Sequence, residues 1–221
     1  EACRSAGIPI AGGHTIDSVE PIYGLVAIGV VDPKKLKRNS GAKLGDSIIL
    51  SKPLGVGILS AALKKEQLSD AAYQEMIALT TKLNKPGVAL SQLDSVHALT
   101  DVTGFGLAGH LLELCRGAKL SAQIKWDSIP VVSEAVKLVK EGVFTGASPR
   151  NWLGYGHEIS MASHLDAWQQ NLLSDPQTSG GLLISCSPEA TEQVLEILRA
   201  DGFNQAQKIG QFVEGSGVSV A

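Results

Sequence analysis

The sequence contains no apolar run of about 18 residues that would span a bilayer, and no charged-then-apolar leader ending in a small-residue cleavage site. A soluble protein is expected. Cysteine is scarce: Cys3, Cys115 and Cys186 are odd in number, far apart and without metal-site spacing. That argues against a disulfide framework or a zinc site and fits a reducing cytoplasm. Neither sign of charge dominates, because 19 Lys and Arg against 22 Asp and Glu leave a formal net charge of −3. The chain therefore lacks the global basic field that would point to nucleic acid or an acidic membrane. Internal repeats and low-complexity tracts are also missing. What remains is ordinary globular composition, with 221 residues, 44% hydrophobic and 19% charged, enough for a sizeable core in one or two domains.

The chain opens at Glu1 without an initiator Met, and Glu1-Ala-Cys-Arg-Ser-Ala-Gly7 reads as the last turn of a helix with a glycine C-cap. A strand candidate at 8–11 follows at once, so the expectation is a fragment that begins inside a domain. Residues 25–31 are a second strand candidate, and the two would form a remnant sheet. Residues 32–40 are charged and turn-forming, which places a domain boundary near Ser40.

Beyond it, residues 47–51 read as a strand entering Lys52-Pro53-Leu54-Gly55-Val56-Gly57, a turn that opens a helix through Ala61 and Leu63. Gly55 and Gly57 form either an anion-binding turn or a purely structural one, since the segment matches neither a P-loop nor a dinucleotide fingerprint. Ser69 or Asp70 can cap the next helix, whose buried stripe is Ala72, Met76, Leu79 and Leu83. A strand at 122–126 and a helix at 132–140 precede a long stretch, 141–160, that reads as a loop carrying Arg150, Asn151, Trp152, Tyr155 and His157. Such a loop is either functional or packed on the body through Trp152 and Tyr155. A strand at 182–185, a helix opened by Ser187-Pro188-Glu189 and stopped by Gly202, and a strand at 209–213 complete the reading.

The most informative segment is 97–110, His-Ala-Leu-Thr-Asp-Val-Thr-Gly-Phe-Gly-Leu-Ala-Gly-His. An apolar strand pattern ends there and Leu107, Leu111 and Leu114 begin a helical one, which leaves Asp101 at the junction. Gly104 and Gly106 free the backbone to approach a ligand, and a helix start favours an anion. A hard cation such as Mg²⁺ takes oxygen ligands, among them a carboxylate like Asp101 and phosphate oxygens. The plainer alternative is that Asp101 or Thr103 caps the helix. Asp175-Pro176-Gln177-Thr178-Ser179-Gly180-Gly181 lies at another strand mouth, either as a site loop or as a tight turn. Arg150 has the chemistry to pair with a phosphate oxygen. His110 reads as a satisfied, partly buried histidine, whereas His14, among glycines, is the better functional candidate.

Four blocks taken together, TDVTGFGLAG at 100–109, GGHTID at 12–17, Arg150-Asn151 within GASPRNWLGYGH, and DPQTSGGLL at 175–183, resemble selenophosphate synthetase in the same order along nearly the whole chain. The DVTGFGLAGH and DPQTSGG blocks are shared with the wider aminoimidazole ribonucleotide synthetase superfamily. The resemblance implies an α+β protein, with a layered α/β domain on a mixed sheet at 41–221. It also implies a remnant of the amino-terminal ATP-binding and dimerisation domain at 1–40. It further implies ATP-dependent synthesis of selenophosphate from selenide and water, releasing AMP and phosphate, by a cytoplasmic, Mg²⁺-dependent homodimer that binds neither nucleic acid nor membrane. Carried over, Asp101 is a metal ligand, and Gly12, Gly13, His14 and Thr15 match the nucleotide-contacting segment. The family's reactive cysteine or selenocysteine, its neighbouring lysine and the other metal aspartates have no counterpart. Cys3, Cys115 and Cys186 do not replace them, so this polypeptide alone is not expected to turn over. Two alternatives stay open. One is another enzyme of the superfamily, of the purine cyclo-ligase or thiamine-phosphate kinase type; the other is a noncatalytic folding or interaction domain.

Overall fold

The computed structural model describes all 221 residues, which divide into two compact units, Glu1–Leu36 and Lys37–Ala221.

In the first unit, α1 (Ala2–Ala6) ends at Gly7, whose left-handed backbone, φ 72°, lets its amide donate to Arg4 O. This is the expected glycine C-cap. A short 3₁₀ turn, Pro33–Lys35, is capped by Asp32, whose side chain accepts from the Lys34 amide at 2.9 Å. The remnant sheet expected from 8–11 and 25–31 does not form, and both segments are exposed and outside any helix or strand. An apolar extended segment becomes a strand only against another backbone, and the unit offers these two no pairing. Ile10, Val26, Ile28 and Val30 consequently stand in solvent.

The second unit is built on a mixed seven-stranded sheet. Its strands are β1 (Ser47–Leu50), β2 (Val96–Asp101), β3 (Ser121–Ile124), β4 (Ile159–Met161), β5 (Leu182–Cys186), β6 (Gln207–Val213) and β7 (Val218–Val220). They lie in the order β2-β5-β1-β6-β3-β7-β4, antiparallel from β2 to β3 and parallel from β3 through β7 to β4. The helices are α2 (Val56–Lys64), α3 (Asp70–Thr81), α4 (Pro86–Ser91), α5 (Gly106–Ala118), α6 (Ser133–Lys140), α7 (Ala147–Tyr155), α8 (Ala167–Leu173) and α9 (Thr191–Ala200).

Side chains alternate across the sheet and so feed two cores. Ile48, Leu50, Ala98 and Leu183 join the larger one, with residues of α2, α5, α6 and α8. Ile49, Val96, Leu182 and Ile184 join the smaller one, with Leu90 of α4 and Val194, Leu195 and Leu198 of α9. The residues between the periodic positions of β1 are thus buried too, which explains its unbroken apolar run. In α5, Leu107, Leu111 and Leu114 are fully buried, each contributing about 1.5–3 kcal/mol of transfer free energy. The smaller core covers only part of its face. Register pairs carry a row of polar residues from Ser47 through Gln211, Gln123 and Ser219 to Ser160. At one end of the row the Thr191 hydroxyl of α9 meets Ser47, while Gln211, Gln123 and Ser160 lie in solvent.

The stretch 141–160, read above as a loop, contains α7 and the start of β4. Pro149 is the third residue of α7, where no intrahelical N–H is required, and Thr145 Oγ1 accepts from the Ser148 amide at 3.2 Å. Glycine and proline content concealed a helix whose only proline sits where a proline fits.

Candidate functional site at the mouth of the sheet

One end of the sheet gathers three loops. Leu50, the last residue of β1, pairs with Leu183, and Asp101, the last of β2, pairs with Leu182 at the start of β5. The loops leaving β1 (51–55) and β2 (102–105) therefore meet the loop entering β5 (174–181).

The entering loop is fixed by its own side chains. Gln177 Oε1 accepts from the amides of Gly55 and Val56, both at 3.3 Å. Asp175 Oδ2 accepts from Gly57 at 3.0 Å, from Ile58 at 3.3 Å and from Gln177 Nε2 at 2.9 Å. These four amides are the ones that an α-helix start leaves without internal partners. The anion-binding turn weighed for Gly55 and Gly57 is thus already filled from within the chain, and the Asp-Pro segment is a cap delivered from another part of the sequence. Asp175 is fully buried, its Oδ1 has no partner, and burial pushes its carboxyl up to about 7 despite the bonds from Gln177, Ile58 and Gly57.

Two further polar side chains hold the same loop. The buried Lys52 ammonium donates to Leu79 O at 3.1 Å and to Lys82 O and Ser179 O at 2.7 Å. Burial first, and the Lys82 charge second, bring its pKa down to about 8. Asn84 Nδ2 donates to Gly180 O at 2.9 Å. Nothing in the local sequence marked Lys52 or Asn84, because their partners lie across the fold.

The loop after β2 has a different character. Neither Asp101 nor Thr103 caps α5; the N-cap residue is Phe105, with no side-chain cap bond. Thr103 Oγ1 instead bonds His110 Nε2 at 3.0 Å. The Nδ1 of buried His110 lies 3.4 Å from the Glu113 carboxylate, off the line of a hydrogen bond but within reach of an ion pair. Gly106 has φ +70°, and a Cβ there would lie 2.7 Å from Leu173 O, so only glycine lets the end of α8 approach. Asp101 is exposed and its carboxylate enters no ion pair or side-chain hydrogen bond. Beside it, a Cβ on Gly104 would meet nothing within 4 Å. Asp101 and Gly104 form an open shelf on an otherwise tightly bonded mouth.

Helix α7 reaches this shelf. Asn151 Nδ2 donates to Gly104 O at 2.8 Å and to Ser174 O at 3.1 Å. One turn later, the Tyr155 hydroxyl donates to Phe105 O at 2.5 Å, and burial raises its pKa. Arg150 is exposed, with a guanidinium nitrogen 3.3 Å from where a Cβ on Gly146 would lie.

No three His, Cys, Asp or Glu residues gather anywhere as a metal cluster. Asp101 is accordingly a lone carboxylate, which suits a cation that takes one or two carboxylates together with phosphate oxygens, the habit of Mg²⁺. Gly12, Gly13, His14 and Thr15 belong to the first unit, exposed and outside any helix or strand. Cys115 and Cys186 are buried, and burial pushes their thiols up to about 12 and about 11, far from thiolate chemistry.

The selenide, water dikinase of Paraburkholderia xenovorans (strain LB400) is 62% identical to this chain over 215 residues, 97% of the chain and 61% of the relative, so the chain spans about three fifths of its length. Among solved structures, thiamine-monophosphate kinase from Stenotrophomonas maltophilia K279a matches with a TM-score of 0.60 at 18% identity, over 83% of this chain and 52% of that one. Hydrogenase maturation protein HypE in complex with ATP matches with a TM-score of 0.55 at 20% identity, over 80% of this chain and 45% of that one. At such identities these two likenesses speak for the fold alone. Residues 43–221 match AIR synthase related protein, C-terminal domain, and the chain belongs to that family.

Proposed function

We propose that a full-length dikinase containing this chain makes selenophosphate from selenide, ATP and water, releasing AMP and phosphate, and that Asp101 is the metal ligand the chain supplies. The observation that carries this reading is the close likeness to a selenide, water dikinase along nearly the whole chain. The exposed, unpaired carboxylate of Asp101 beside the open Gly104 supports it, since a ligand for Mg²⁺ has to be reachable and not already committed. Mg²⁺ held there with nucleotide phosphates would neutralise charge during phosphoryl transfer. Around it, the chain's own residues orient: Thr103, Asn151 and Tyr155 fix the turn, and Gly106 lets the neighbouring helix close on it. Gly12, Gly13, His14 and Thr15 contact the nucleotide in this reading, which the resemblance of the segment GGHTID supports. A cytoplasmic homodimer belongs to the same proposal.

The 221 residues by themselves do not turn over. Two phosphoryl-bond cleavages on one triphosphate call for several cations and several carboxylates, and in this reading Asp101 is the only one of those carboxylates that the chain supplies.

The test uses the full-length protein with ATP, selenide and Mg²⁺, followed by ³¹P NMR. Selenophosphate and AMP are expected in equal amounts. ATP consumption without a phosphorus–selenium product overturns the reaction. Asp101→Asn is expected to raise the Mg²⁺ concentration for half-maximal rate at least tenfold; an unchanged Mg²⁺ dependence removes Asp101 from the metal site.

A further inference from the structure

We propose that Asn151 is a positioning residue for the Asp101 loop. The inference rests on the reading of Asp101 as a metal ligand, and it assigns Asn151 a task that its place on α7, away from the sheet, does not suggest.

The geometry is specific. The Asn151 carboxamide nitrogen has two hydrogens, and each meets a different loop, Gly104 O on the turn after Asp101 and Ser174 O at the entry to the Asp175 loop. A single carboxamide thus ties the open shelf to the loop whose Asp175 and Gln177 cap α2. Tyr155 lies four residues on, on the same helix face, and fastens the next carbonyl of the turn, Phe105 O. Just before these attachment points Thr103 O accepts from both the Gly106 and Gln177 amides at 3.0 Å, and the Val102 amide donates to Gly181 O at 2.9 Å, so the start of the turn is bonded to itself and to the entering loop. Without Asn151, Gly104 O has no other donor among the bonds of the mouth. Gly104 would then be restrained only through its covalent neighbours, at the point where the chain turns from Asp101 into α5.

A carboxamide is required for this, and the isosteric carboxylate defeats it. Asn151→Asp keeps size and packing but turns an oxygen towards two carbonyl oxygens, so a role in packing and a role in positioning predict opposite results. A packing role makes Asp nearly equal to Asn and Ala the damaging change. Positioning makes Asp as damaging as Ala, or more so.

The experiment takes the full-length protein and its Asn151→Ala, Asn151→Asp and Asp101→Asn variants. Two quantities are measured: amide hydrogen exchange at Gly106 and Gln177 without nucleotide, and the Mg²⁺ concentration for half-maximal rate with ATP. The proposal expects exchange at both amides to quicken at least tenfold in both Asn151 variants, with melting temperatures within a few degrees of the parent. It also expects the Mg²⁺ requirement to rise about three- to tenfold, with Asp no better than Ala. Unchanged exchange overturns it, as does an Asp variant that behaves like the parent. So does an unchanged Mg²⁺ requirement in the Asn151 variants while Asp101→Asn shifts it. If Asp101→Asn itself moves nothing, the metal reading has failed and the positioning role falls with it, an outcome marked by the response of a different variant.

Discussion

Asp175 accepts the amide hydrogen of Gly57 at 3.0 Å across 118 residues of chain, and so caps α2 from a loop that is distant in sequence but shares its end of the sheet. The same carboxyl is fully buried, with its pKa raised from the ordinary 3.8 to about 7 by that burial. The unfolded chain therefore loses this proton near pH 4 and the folded chain near pH 7. Between those limits the folded state holds more protons, so the contribution to stability is complete below pH 4 and declines as pH rises to 7, by at most about 4 kcal/mol. Asp175→Asn keeps an acceptor for Gly57, Ile58 and Gln177 and carries no charge. Its melting temperature is expected to exceed the parent's at pH 8, and the difference should vanish towards pH 4. Parallel melting curves across that range would contradict the assignment.

Lys52 supplies the only cation of the mouth that is itself buried, and three carbonyls depend on it. Lys52→Met preserves the stem and removes the donor. Leaving these part-buried carbonyls without the ammonium is expected to lower stability by about 1–3 kcal/mol. Urea denaturation should show a lower midpoint with an unchanged slope, and an unaltered midpoint would mean that water replaces the ammonium at no cost.

Gly106 and Gly104, two residues apart, should respond oppositely to alanine. At Gly106 the backbone is left-handed and a Cβ would lie 2.7 Å from Leu173 O, so Gly106→Ala is expected to cost about 2–4 kcal/mol through strain and overlap. At Gly104 a Cβ meets open space, and Gly104→Ala is expected to stay within about 0.5 kcal/mol of the parent. Calorimetric melts of the pair decide it.

At the opposite end of the sheet, buried Asp46 accepts from the Lys43 amide at 2.9 Å and the Ser185 hydroxyl at 2.6 Å, and bonds His97 Nδ1 at 2.8 Å. Removing the shared acceptor strands every partner at once, whereas removing one donor leaves the others engaged. Asp46→Ala is expected to cost about 2–4 kcal/mol and Ser185→Ala about 1 kcal/mol. Equal losses in chemical denaturation would show that Ser185 is the only partner that matters.

Local pattern was sufficient wherever an element is held by its near neighbours. Ser69 caps α3 through the Ala72 amide, and of the expected stripe Ala72 and Met76 are buried, Leu79 is half-buried and Leu83 lies beyond the helix end at Thr81. The junction of β2 and α5 around Asp101 was equally readable, because a change of hydrophobic period marks it. Three-residue strands such as β4 and β7 carry too few alternations to be told from loop, and they exist because β3 and its neighbours present free edges. The candidate strands at 8–11 and 25–31 had the right composition and no backbone to pair with. Within the site, the exposed position of Asp101 follows from its place at a strand end. The roles of Asp175, Gln177, Lys52 and Asn151 do not follow from local sequence, since each is defined by a partner at least 23 residues away.

The strand that carries Asp101 is one of the two edge strands of the sheet, and its sole ladder is with β5, some eighty positions further along the chain. During synthesis that ladder has no counterpart until the segment beyond Gly181 has left the ribosome, so the acidic residue stays on an unpaired stretch while some eighty further residues are made. Pairings this distant form slowly and late. In the proposed reading, the metal site is therefore complete only once the β5 segment has been made.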